Sequence, residues 1–210
     1  MVDAYMWGRV SRVSPEAPVP VVDVTQREIR AGGAGNVVKN LYALGAEVTL
    51  VGVIGQDASG ADLTNLLEDV CAPHLVVDPS RPTTVKTRVI SGGQHVVRVD
   101  EEYTEDVTSA VGQDVLNTFK ALLEGASRPD VVILEDYDKG VLTEETVSGL
   151  LAACKHAGLP VAVDPKLKRF QSYHGVALFK PNLKELNEGL GLTEPVHPQQ
   201  MSNMAKAVER

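Results

Sequence analysis

GGAGNVVKNLYALGAEVTLVGVIGQDASG, residues 32–60, sets a glycine-rich turn ahead of a helix, a single glycine and then a β-branched run. Val37, Val38, Leu41 and Leu44 recur at helical spacing behind the turn, and Gly45 stands where a left-handed residue ends a helix. VTLVGVIG (48–55) has the continuous apolar character of a strand buried on both faces. The same rhythm continues along the chain. Helices are predicted over 61–70, 107–124, 143–158 and 183–190, and strands over 74–78, 129–136, 160–164 and 175–182. Alternating strands and helices predict an α/β domain, a mainly parallel sheet with helices on both faces. In such sheets ligands lie at the carboxyl ends of the strands, so the residues just after each strand carry the functional interest.

Two segments depart from that rhythm. Residues 8–25 and 83–100 alternate apolar and polar side chains at period two. The second has Gly92–Gly93 between its arms and reads as a hairpin. Pro15, Pro18 and Pro20 suit the first to an edge strand. Together the two segments are expected to form a small antiparallel β lid inserted in the domain.

Composition limits the partners. With 210 residues, 43% hydrophobic and 23% charged, the chain can build one sizeable core. A net charge of -8 argues against nucleic acid or an anionic membrane as the main partner. Cys71 and Cys154 have no paired spacing and the histidines no metal-ligand spacing, so no disulfide framework or zinc site is expected. MVDAYMWGR at the start has no apolar targeting core and no run reaches membrane-spanning length, which predicts a soluble, cytoplasmic protein.

Two nucleotide readings of the glycine turn fail. A dinucleotide fingerprint needs a third glycine where Val38 stands, which weighs against a nicotinamide-dependent oxidoreductase, and no Gly-Lys-Ser/Thr triplet occurs for a Walker loop. A plain tight turn into a helix stays open. The continuation resembles the first signature of the ribokinase-like (PfkB) carbohydrate kinase family, with Gly32, Gly33, Asn36, Gly45, Gly52, Gly55, Asp57 and Gly60 in register. SRVSPEAPVPVV, TVKTRVI, VVRVDEE, EDYDKG, VAVDPK and KPNLKEL extend the likeness over nearly the whole chain. Within the family they resemble the heptose-7-phosphate kinases, the kinase half of the bifunctional ADP-heptose synthesis enzymes.

The resemblance implies a ribokinase-like fold and ATP-dependent, Mg²⁺-assisted phosphorylation of the anomeric hydroxyl of a heptose 7-phosphate. It places the sugar against Gly32 and Gly33, with Asp3 and Asn36 gripping its hydroxyls. Lys86 and Arg88, which share one face of a period-two strand, and Arg98 are candidates to clamp the substrate phosphate, with Arg9 and Arg12 on the other lid segment. Taken singly, each of these cations also fits a solvated sheet face. Asp136 is expected to face the sugar and Lys139 an anionic group, a turn role being the alternative. Asp164 and Lys166 would serve the nucleotide phosphates, and Asn182 with Glu185 would organise Mg²⁺ through water. Without the family, Asn182 and Glu185 make a capping box, and both roles are compatible. A homodimer paired through the β lid is also implied.

The family's catalytic Gly-Ala-Gly-Asp turn, with its general base, is not in these 210 residues. The chain is therefore expected to be the N-terminal two-thirds of one kinase domain, clipped at both ends and inactive alone, with a helix beginning over MAKAVER at 204–210. Another PfkB-type sugar kinase, or a non-catalytic sugar-phosphate-binding module, is the competing expectation.

Overall fold

Period-two sequence makes the largest sheet. In the computed structural model, which describes residues 1–125 and 128–192, strands β1 (Val2–Val13), β2 (Pro20–Ala31), β5 (Val85–Ser91) and β6 (Gln94–Glu101) pair in the order β2-β1-β5-β6. β1 runs antiparallel to β2 and parallel to β5, and β5 antiparallel to β6. Gly92 and Gly93 turn the second hairpin with φ of 59° and 79°, values that suit glycine in a two-residue connection. β2 opens on Pro20 at the sheet edge, where a missing N–H costs no ladder bond. The first lid arm does not begin at residue 8: β1 is one strand from Val2. No turn residue interrupts it, and Gly8 lets β2 pass close, since a Cβ there would lie 2.6 Å from the Asp23 carbonyl oxygen.

The chain divides into two units, Met1–Tyr103 and Thr104–Arg210. In the first, helix α1 (Ala34–Ala43) follows the glycine turn and ends at Leu44, with Gly45 left-handed at φ 88°. Strand β3 (Thr49–Ile54), helix α2 (Ala58–Glu68) and strand β4 (Ala72–Val77) complete it, β3 and β4 forming a two-stranded parallel ladder. Val2, Ala31, Val38, Ile54, Leu63, Leu67 and Val85 make its core. The expected burial of β3 on both faces is not met: only Ile54 is fully buried. A β-branched run specifies a strand, but burial on both faces needs covering layers, and β4 alone pairs with β3 among the described residues.

In the second unit, helices α3 (Ser109–Glu124) and α4 (Glu144–Ala157) pack on a parallel ladder β7-β8-β9 (Val132–Glu135, Val161–Asp164, Leu178–Phe179). A 3₁₀ segment, Leu167–Ser172, precedes β9, and helix α5 (Leu183–Gly189) follows it. The strand expected over 175–182 is ordered as β9 for two residues only. α4 carries every local signal of a helix: Thr143 caps its start, Glu144 and Glu145 lie in its first turn, Lys155 and His156 in its last, and Gly158 ends it at φ 65°. Its buried face, Val147, Leu150 and Cys154, joins Leu116, Phe119, Val132, Leu134, Val161 and Val163 in the core. Parallel pairing is thus found for β1-β5, β3-β4, β7-β8 and β8-β9, and the helix expected over MAKAVER lies outside the described residues. No helix among the described residues is long and apolar enough to cross a membrane.

Candidate active site

Strand pairing places the first set of groups. Asp3 sits within β1, level with Arg30 of β2 and Lys86 of β5; two residues on, Tyr5 is level with Glu28 and Arg88. These side chains share one face of the sheet because successive residues alternate sides. Arg88 Nη1 donates to Asp3 Oδ1 at 2.6 Å, both side chains being partly buried. The Arg88 and Arg30 guanidinium groups lie 5.4 and 5.1 Å from the Tyr5 ring centroid, so the ring stands between two cations. Tyr5 drew no notice in the sequence; the alternation predicts its face but not its partners.

The Asp3 carboxylate closes on the glycine turn. A Cβ on Gly32 would meet Asp3 Oδ2 at 2.5 Å, so the space beside its Cα holds the Asp3 carboxylate. Gly33, with φ 56° and ψ -130°, adopts a backbone that side-chain-bearing residues avoid as it opens α1. Asn36, in the first turn of α1, is exposed. The structure therefore brings together Asp3, Gly32 and Arg88, with Asn36 one helical step from the turn.

The proposed phosphate clamp is already neutralised within the sheet. Lys86 Nζ donates to Asp100 and Glu102 at 2.8 Å each, and Arg98 Nε to the other Asp100 oxygen at 2.9 Å. Burial would lower the Lys86 pKa, but the two carboxylates hold it above the usual lysine value. Arg98 is more than half exposed, and Arg9 and Arg12 lie on the exposed outer part of β1.

The rest of the glycine signature is structural. Asp57 caps α2 by accepting from the Gly60 amide at 2.8 Å, and its second oxygen accepts from the Thr83 amide at 2.7 Å. Gly55 donates to Thr83 Oγ1 at 2.9 Å, and a Cβ there would strike the Arg81 carbonyl oxygen at 2.4 Å. These residues tie the end of β3 to the entrance of β5, the strand that carries Lys86 and Arg88.

In the second unit the strand ends do place polar groups, as expected of parallel ladders. Asp136, just past β7, is 5% exposed and fully engaged. Its Oδ2 accepts from the Tyr173 hydroxyl at 2.7 Å and its Oδ1 from the Asp138 amide at 2.9 Å. Both carboxylate oxygens of Asp136, the residue expected to face a sugar, thus accept hydrogen bonds from the protein. Asp138 has φ 52°, the one non-glycine residue with positive φ among those described, and burial together with Asp136 raises its pKa. Lys139 follows within this loop.

Past β8, Lys166 Nζ donates to Glu185 Oε1. Glu185 Oε2 accepts from the Asn182 amide at 2.8 Å, and Asn182 Oδ1 from the Glu185 amide at 2.9 Å, so the capping box is complete. Burial would raise the Glu185 pKa, but Lys166 and the Asn182 amide hold it below the usual carboxylate range; the same pairing outweighs burial and raises that of Lys166. Asp164 lies 3.5 Å from Lys180 Nζ, and Glu135, beside Asp164, is pushed up by burial and then by that neighbouring charge. Asp164, Lys166, Asn182 and Glu185 thus converge at one end of the ladder, with Glu135 and Lys180 added by the structure. Among the described residues no group of three His, Cys, Asp or Glu side chains is placed to hold a metal ion directly.

Comparison with known proteins gives the family and the fold. The sequence pattern of the pfkB family carbohydrate kinases matches residues 2–210. The chain is 46% identical over 196 residues to the bifunctional protein HldE of Caulobacter vibrioides, covering 92% of this chain and 39% of that protein. It is 43% identical over 187 residues to that of Sulfurimonas denitrificans, again covering 39% of the relative. Among solved structures, phosphofructokinase-2 from Escherichia coli in complex with fructose-6-phosphate superposes with a TM-score of 0.74 at 19% identity, over 99% of this chain and 66% of that one. The chain spans about two-fifths of the length of the curated relatives it matches.

Proposed function

The chain belongs to the pfkB family of carbohydrate kinases, with the ribokinase-like α/β fold, and from that premise we propose that it provides substrate-binding groups of an ATP-dependent kinase acting on a heptose 7-phosphate. The observation that carries the reading is the 46% identity to a bifunctional HldE protein across 92% of this chain. The acceptor is the anomeric hydroxyl, and the setting is cytoplasmic, in keeping with two free cysteines.

Phosphoryl transfer depends on positioning and on neutralising charge. In the first unit, sugar hydroxyls donate to Asp3 and exchange bonds with the exposed Asn36 amide. Arg88, released from Asp3, turns its guanidinium to the substrate phosphate, with Lys86 and Arg98 beside it. Each exchange replaces one charge-assisted hydrogen bond with another, so binding keeps the groups satisfied. In the second unit, Lys139 and Lys166 meet anionic oxygens, with Asp136 holding the loop and Asp164 at the strand end.

The residues present fit Mg²⁺ held through water. Both Glu185 oxygens already accept a donor, which leaves the carboxylate suited to orient the waters of an ion carried by ATP. When bound, the ion would offset charge on the nucleotide phosphates. A homodimer through the β2-β1-β5-β6 sheet belongs to the same proposal. Ile29, Val97 and Val99 lie half-exposed on its other face, and a second copy would cover them.

The test is an ATP-dependent phosphorylation assay of the complete gene product against a panel of phosphorylated sugars. Preference for the heptose 7-phosphate is the expected result; equal or better turnover of a hexose phosphate would reject the substrate.

A further inference from the structure

Tyr173 lies in FQSYHG (170–175), a stretch without any periodic signal, 37 residues from Asp136. We propose that Tyr173 is a positioning residue for anion binding at Lys139, acting through Asp136; the role of Lys139 rests on the kinase reading above.

The geometry runs in three steps. Tyr173 is 6% exposed, is part of the core with Val132, Leu134, Val161 and Val163, and lies against Phe179. A phenylalanine would fill the same volume, so the hydroxyl serves something other than packing. That something is the buried Asp136 carboxylate, which would otherwise lack a donor on Oδ2. Burial, and then the Asp136 hydrogen bond and charge, push the Tyr173 pKa far above the ordinary tyrosine range, so the hydroxyl keeps its proton and stays a donor.

Asp136 in turn holds the loop. Its Oδ1 takes the Asp138 amide, and its own amide donates to the Asp164 carbonyl at 3.1 Å. Asp138 has a left-handed backbone that a non-glycine residue keeps only where its surroundings over-determine it. At the far end Gly140, with φ 73°, presses so close to the chain that a Cβ would lie 1.9 Å from the Glu105 carbonyl oxygen. Lys139 is the residue between these two anchors. Of the anchors, Gly140 is set by backbone contact, while Asp138 depends on a carboxylate that Tyr173 holds in place.

The test is a double-mutant cycle in the complete gene product with Tyr173→Phe and Lys139→Met. Calorimetric titrations use a heptose 7-phosphate and, separately, Mg·ATP. The expected result is about tenfold weaker binding of one of these probes in either single variant, with the double variant no weaker than Lys139→Met alone. Unchanged affinity in Tyr173→Phe, or a loss that adds in full to that of Lys139→Met, overturns the proposal. Hydrogen exchange at the Asp138 amide needs no ligand: faster exchange in Tyr173→Phe supports the restraint and an unchanged rate sinks it. Should Tyr173→Phe fold poorly, Asp136→Ala removes the acceptor of that amide, and the same non-additivity is expected. Wild type that binds neither probe rejects the kinase reading and the anion role together, while the exchange rate still decides whether Tyr173 pins the turn.

Discussion

One ion pair from each unit's candidate site, Asp3–Arg88 and Glu185–Lys166, can be set side by side, and the two are held by different means. Asp3 and Arg88, 85 positions apart in the sequence, meet because β1 and β5 lie side by side in a parallel ladder. The Asp3 carboxylate rests against Gly32, and its charged partner is a long side chain on a sheet face. Glu185 is anchored to the backbone of its own helix by a capping box, and Lys166 is added to that anchor. The first pair is therefore set by tertiary pairing and both members can move. In the second pair the carboxylate is fixed by local structure and only the lysine is free to swing. An exchangeable pair suits a sugar phosphate that must take both partners; a fixed carboxylate with a mobile lysine suits a metal-bound triphosphate.

The largest effect should come from breaking the local anchor. Glu185→Ala removes the glutamate half of the box and leaves Lys166 without its carboxylate, and should destabilise the fold by about 2 kcal/mol in urea unfolding, from the Asn182 amide and the Lys166 ammonium that both lose their acceptor. A loss no greater than that of Lys166→Met would show that the cap adds nothing and that the two pairs are alike. Next, Gly32→Ala forces a methyl group against Asp3 and should cost about 1 kcal/mol, because a flexible side chain can yield. It should also weaken sugar-phosphate binding far more than ATP binding; equal losses in titration would contradict the division of labour. Smaller still, Arg88→Met should change stability by roughly 0.5 kcal/mol or less, since partly exposed pairs contribute little, yet reduce sugar-phosphate affinity about tenfold.

The gentlest probe is pH. The folded pKa of Glu185 lies below its ordinary 4.5, so its contribution is complete above that value and is lost as pH falls through the folded pKa. Acidification from about pH 5 to about pH 3 should therefore cost wild type more stability than Glu185→Gln. Lys166, raised above 10.5, adds a loss at the alkaline end, where stability declines as pH rises through its folded pKa. Parallel curves for wild type and Glu185→Gln in acid would remove the electrostatic half of the argument.

What could be read in advance follows the range of each interaction. The ends of α4, the Gly92–Gly93 turn and the Asn182–Glu185 box depend on neighbours within a few residues, and all stand where the sequence puts them. The burial of β3 depends on what packs alongside, which residue type does not encode. Asp136 shows the same limit within the site. Its place after β7 was legible, but its hydroxyl partner lies 37 residues away in a stretch without pattern.

By itself the sequence determined the alternation of strand and helix, the two period-two segments with the Gly92–Gly93 hairpin, and the set of chemical groups at the strand ends, because these rest on local propensity, spacing and turn stereochemistry. Only the tertiary structure decided that Gly32 makes room for Asp3, that Arg88 neutralises it, that Lys86 is held by Asp100 and Glu102, and that Tyr173 holds Asp136. Those contacts arise where distant segments meet, and a carboxylate drawn out of water takes whichever donor the fold delivers to it.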